Sequence, residues 1–114
     1  MAVSNEVIAD IVENGADYIE KWGWCRRKLY DWQAVDSYQE YPPACIVGGL
    51  MVGNRMRGAL RNRVLMETLV SKFREAVPEV GAVSAWNDYE CETKQQALDL
   101  MRLAAKRLRI GWEK

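Results

Sequence analysis

Three cysteines, a cluster of carboxylates around residue 90 and a run of arginines are the side chains here whose types could do chemistry, and the 114 residues contain no histidine. A cysteine nucleophile needs a neighbouring base to make thiolate, most often histidine, which is also the commonest general base near neutral pH. Cys25 stands beside Arg26, Arg27 and Lys28, and nearby cations favour the thiolate, so a reactive thiol competes with a buried, inert one. The inert reading is preferred. Cys25, Cys45 and Cys91 lack the C-x₂₋₄-C spacing of a zinc knuckle and have no histidine to join them, so neither metal nor cofactor is expected. Their odd number and wide spacing fit reduced thiols rather than disulfides.

Asp88, Glu90 and Glu92 leave carboxylate chemistry open, although their separation in space cannot be read from spacing alone. The stretch Trp86-Asn87-Asp88 has two readings. In one, Trp86 plugs the core and Asn87 or Asp88 closes a turn on a nearby backbone N–H. In the other, Trp86 and Trp24 wall a pocket in which an amide and a carboxylate hold a small polar ligand. The paired glycines of CIVGGL lack both GxxxxGK[ST] and GxGxxG, so close helix packing explains them better than a phosphate loop. Arg55, Arg57, Arg61 and Arg63 form the densest basic run and are the candidates for nucleic-acid contact. On a helix they would point around the cylinder and make no single stripe.

Sixteen basic residues balance sixteen acidic ones, which disfavours nucleic acid or a membrane surface as the partner of the whole chain. Five tryptophans and five tyrosines against one phenylalanine place some indoles and phenols at the core edge or an interface, where their polar atoms find partners. Acids at Glu6, Asp10 and Glu13 stand where a signal peptide would be basic and then apolar, and no window approaches eighteen apolar residues. A cytoplasmic protein is expected.

These candidates must be positioned by helices. Val7, Ile8, Ile11, Val12, Tyr18, Ile19 and Trp22 recur at helical spacing over residues 5–22, with Ser4 or Asn5 as cap. Glu6, Asp10, Glu13, Asp17 and Glu20 form an acidic stripe along the opposite face, which is either solvated, paired with this chain's own arginines, or a docking site for a basic partner. Residues 33–43 read as a loop leading into a short helix over ACIVGGLMVG, with Gly53-Asn54 as punctuation. A second amphipathic face runs from about Met56 to Val77 and stops at Pro78. PEVGAVSAWNDYE reads as irregular, with an extended piece around Val83, and Thr93 to Gln96 has capping-box spacing. The last helix reaches about Arg109, with Ala97, Leu98, Met101, Ala104, Ala105 and Leu108 inward. The expected fold is all-α: one compact domain of about four helices, with one irregular segment before the last.

The order GWC at 23–25, CIVGGL at 45–50 and AWND at 85–88, followed by a helix opening at Thr93, resembles an uncharacterised family, a domain of unknown function in small proteins of actinobacteria and their bacteriophages. The resemblance spans roughly residues 10–108. It implies a shared fold and a phage or actinobacterial setting, and it implies no activity. Trp24, Cys45, Gly48 and Trp86 would then share a core. The leading expectation is a small non-enzymatic interaction or regulatory protein, phage-encoded, that binds a host or phage protein, with homo-oligomerisation left open. The alternatives are a ligand-binding domain or enzyme with a pocket at Trp86-Asn87-Asp88, and a nucleic-acid binder through Arg55 to Arg63.

Overall fold

The Ser4 hydroxyl oxygen accepts the Val7 backbone N–H at 3.2 Å and opens helix α1, Asn5–Trp22. In the structure, a computed structural model that describes residues 4–35, 39–56 and 64–111, four further helices follow. They are α2 (Ile46–Arg55), α3 (Met66–Ala76), α4 (Val83–Ala85) and α5 (Lys94–Ile110), with single 3₁₀ turns at Trp32–Ala34 and Pro78–Val80. Among the described residues there is no strand, only two isolated bridges that meet at Ala44. The radius of gyration, 13.5 Å, is that of a compact chain of this length. The all-α expectation holds, with five helices rather than about four.

Helix α1 lies at the centre and packs against both α2 and α5. Its apolar stripe buries Ile8, Ile11, Val12 and Ile19, together with Leu50 of α2, Leu69 and Phe73 of α3, and Leu98 and Met101 of α5. The capping box of α5 forms as its spacing predicts: Gln96 N–H donates to Thr93 Oγ1 at 3.2 Å, and Thr93 N–H donates to Gln96 Oε1 at 3.3 Å. Its six expected inward residues are all buried. Among the described residues no helix is long and apolar enough to cross a membrane.

The other boundaries differ from expectation for identifiable reasons. Gly53 and Asn54 do not punctuate; both are buried inside α2. The Asn54 side chain donates to the Val64 carbonyl at 2.6 Å and accepts the Val64 N–H at 2.9 Å, which imitates a backbone pair. That clamp holds residue 64 in place, Leu65 adopts an extended conformation as the cap, and α3 starts at Met66, not Met56. The part of the expected helix over residues 57–63 lies outside the described residues. Around Val83 the chain is helical rather than extended, and it widens into a π turn over Trp86–Glu90, closed by Cys91 N–H on the Trp86 carbonyl at 2.8 Å.

The glycines of α2 answer for the closeness of α1. A β-carbon on Gly53 would lie 2.8 Å from the Gly15 nitrogen and nearer still to the Ile11 carbonyl oxygen; one on Gly49 would lie 2.8 Å from Ile19 Cδ1. Gly53→Ala gains about 1 kcal/mol of helix propensity. The backbone clash has no flexible side chain to absorb it, so a net loss of about 2–3 kcal/mol is expected on thermal or urea unfolding.

Candidate functional site

Two segments without regular structure cross beside the α2 N-terminus. Gly23, at a φ of 112°, ends α1 and turns the chain. Cys25 N–H then donates to the Ala44 carbonyl at 3.1 Å, and Cys45 N–H donates to the Leu29 carbonyl at 3.0 Å. Gly48 admits this crossing, since a β-carbon there would meet the Leu29 carbonyl.

The π turn delivers Asn87 into the crossing. Its Oδ1 accepts from Trp24 Nε1 at 2.8 Å and from Ile46 N–H at 3.0 Å, while its Nδ2 donates to the Cys25 carbonyl at 3.2 Å and to Asp88 Oδ1 at 3.1 Å. All four hydrogen-bonding positions of the amide are used, and the residue is 1 % exposed. Asp88 Oδ1 also accepts Arg27 N–H at 2.7 Å, which fixes Arg27 in a left-handed conformation with φ of 65°. Arg26 donates through both Nε and Nη2 to the Cys91 carbonyl at the end of the π turn, and its guanidinium lies over the Trp24 ring.

So the structure does bring Trp24, Asn87 and Asp88 together, as the ligand-pocket reading required, but the Trp24 N–H and the whole Asn87 amide are used within the fold. Trp86 is half-buried at the core edge, and the fully buried member of the trio is Asn87, whose bonds are long-range rather than those of a local turn. Within the π turn it is the amide, not the indole, that points inward.

Of the cations that neighbour Cys25 in sequence, Lys28 favours the thiolate, but burial outweighs it. The Cys25 thiol donates to the Lys28 carbonyl at 3.4 Å, and burial first, then Cys45 and Asp31, push its pKa up to about 12. Burial also raises Cys45, whose sulfur caps α2 by accepting Gly48 N–H at 3.3 Å, and Cys91. All three are free, buried and protonated at neutral pH, so the reactive-thiol reading of Cys25 fails on its surroundings. Among the described residues no three His, Cys, Asp or Glu side chains stand together as a metal site.

The acidic stripe of α1 faces α5. Arg109 lies 3.6 Å from Glu6, 2.7 Å from Asp10 and in contact with Glu13. One heptad earlier, Arg102 lies 3.2 Å from Glu20 and 3.7 Å from Asp17. All five carboxylates are therefore matched by this chain's own arginines. Arg55 sits at the end of α2; Arg57, Arg61 and Arg63 lie outside the described residues.

A cavity of about 680 Å³ opens elsewhere, between the C-terminal ends of α1 and α2 and the loop that joins them. Tyr18 and Trp22 of α1, Tyr30, Trp32 and Tyr41 of the loop, and Val52 and Met56 at the end of α2 wall it. The inner phenols are structural: Tyr18 donates to the Pro42 carbonyl at 2.6 Å and Tyr30 to the Gly48 carbonyl at 3.2 Å. Burial first, then Tyr30 and Tyr41, push Tyr18 up to about 12. The rim is open, with Trp32, Tyr41 and Met56 respectively 65 %, 50 % and 57 % exposed. Spacing did not reveal this cleft. The signal for it was the surplus of tryptophan and tyrosine, which pointed to the core edge or an interface without saying where.

Two predictions follow from the bonding just described. Asn87→Ala leaves Trp24 Nε1, Ile46 N–H and the Cys25 carbonyl unpaired and should cost about 3 kcal/mol in urea unfolding, whereas Asp88→Asn keeps an acceptor for Arg27 and should cost under about 1 kcal/mol. The Asp17→Asn/Glu20→Gln double variant should lower the melting temperature slightly, by the equivalent of about 1 kcal/mol at low salt and less at high salt, because it removes internal pairs rather than like-charge repulsion.

No curated protein and no solved structure matches the chain. Residues 3–107 match the model of a family of unknown function, and the chain belongs to that family, DUF6197.

Proposed function

We propose that this chain is a non-enzymatic interaction domain whose working surface is the aromatic cleft, and that its partner is another protein. The observation that carries this reading is the exposed rim: Trp32, Tyr41 and Met56 stand open around a concave apolar cavity. Aromatic residues, methionine and arginine are the types enriched where proteins bury one another, and anchors in a pocket carry most of the binding energy there. The acidic stripe is a weaker docking surface, since a basic partner would have to displace Arg102 and Arg109. Nucleic-acid binding has less support, because sixteen acidic residues balance the sixteen basic ones. The phage or actinobacterial setting implied by the sequence resemblance would make the partner a host or phage protein.

The volume of the cavity favours a second reading, in which it holds a small apolar or aromatic ligand, since such sites span about 300–1,000 Å³. Affinity capture followed by reconstitution with the purified partner separates the two. Trp32→Ala and Tyr41→Ala should each weaken a protein partner by about 2 kcal/mol or more without altering the melting temperature. Partner binding unchanged in both variants would remove the cleft from the interaction, and a heat-released small molecule in place of a protein would favour the second reading.

A further inference from the structure

Three charged side chains line the cleft: Asp17, Lys21 and Arg55. Asp17 is 3.7 Å from Arg102 and so is held on a cation of α5. Lys21 Nζ lies 4.9 Å above the Trp22 ring and makes no ion pair among the described residues, and neither does Arg55. Each stands in the last turn of its helix, where the dipole favours a cation, so the fold tolerates both charges without a partner. The five carboxylates of the α1 stripe each pair with an arginine of α5, Asp17 among them, while Lys21 and Arg55 line the cavity without such a pair. Arg55 acts on the cavity wall directly, since its charge opposes the rise that burial imposes on Tyr30.

Building on the proposed function, we infer that the cleft recognises an acidic protein segment: an aromatic or large aliphatic side chain enters the cavity while an Asp or Glu beside it pairs with Lys21 and Arg55. Charge complementarity selects this occupant. Two cations suit one or two carboxylates, whereas single-stranded nucleic acid needs a groove of cations that tracks its backbone, and here Asp17 and Glu20 flank Lys21.

The test uses a random twelve-residue peptide display library selected on the immobilised full chain, with the Trp32→Ala variant for counter-selection. Enriched peptides should carry a Trp, Phe, Leu or Met anchor with Asp or Glu within four residues of it. A synthetic peptide of this kind should bind about two- to fivefold more weakly to Lys21→Gln and to Arg55→Gln, and its affinity should fall with salt. Its amide counterpart, Asn for Asp or Gln for Glu, should bind the wild type and both variants alike. Melting temperatures of the two variants should match the wild type. Trp32-dependent peptides that lack an acid, or that ignore both substitutions, overturn the inference and leave the proposed function standing. No Trp32-dependent peptide at all overturns both. An oligothymidylate whose binding is lost with Trp32→Ala and weakened by Arg55→Gln overturns the inference in favour of nucleic acid.

Discussion

Helix α2 can lie on α1 only because Gly15, Gly49 and Gly53 present no β-carbon where the two backbones meet. Glycine inside a helix costs propensity, so three of them at one contact mean that close approach is worth more than the local preference lost. With the helices this near, Ile11, Ile19 and Leu50 are buried, and the two helices run antiparallel, Gly53 meeting Ile11 and Gly15 while Gly49 meets Gly15 and Ile19. The cleft is the space that arrangement leaves. Two of the five rings in its wall, Tyr18 and Trp22, stand on α1, and three come from the loop.

A second constraint fixes that loop. The crossing of residues 23–31 over 43–45 is not a sheet, so its backbone groups must find partners case by case. Asn87 supplies what the crossing leaves over: it takes Ile46 N–H, one of the first free N–H groups of α2, and gives a hydrogen to the Cys25 carbonyl. With the Cys45 sulfur on Gly48 N–H, α2 has a cap built half from its own flank and half from a residue forty-one positions away. The stretch that most resembled a ligand site is thus a polar fastener, and it ties residues 24 and 25 to residue 46, the two ends of the loop that carries Trp32 and Tyr41.

What the sequence made legible was whatever repeats locally. The stripes of α1 and α5 and the Thr93 capping box depend on residues three and four apart, and all of them form. What it concealed was set by distant partners. The start of α3 depends on Asn54 reaching Val64, and the π turn on Asn87 reaching residues 24, 25 and 46. Cys25 misleads for the same reason: its sequence neighbours are basic, but burial, then Cys45 and Asp31, outweigh Lys28 where the fold places it. Trp32 and Tyr41 fall in a segment without periodicity, so no pattern could place them on one wall.

The formal neutrality of the chain conceals a division of charge that only the packing reveals. Because α5 lies along the acidic face of α1, Arg102 and Arg109 are drawn out of solvent-facing roles and into ion pairs whose individual worth is small. Their greater effect is on the field around the molecule, since five carboxylates no longer present a bare anionic face. Lys21 and Arg55 line the cleft together with Asp17, and of these three Asp17 is the one paired with an arginine of α5. A chain with equal numbers of acids and bases can in this way present a cationic, aromatic opening, and whole-chain charge is then a poor guide to the partner it takes.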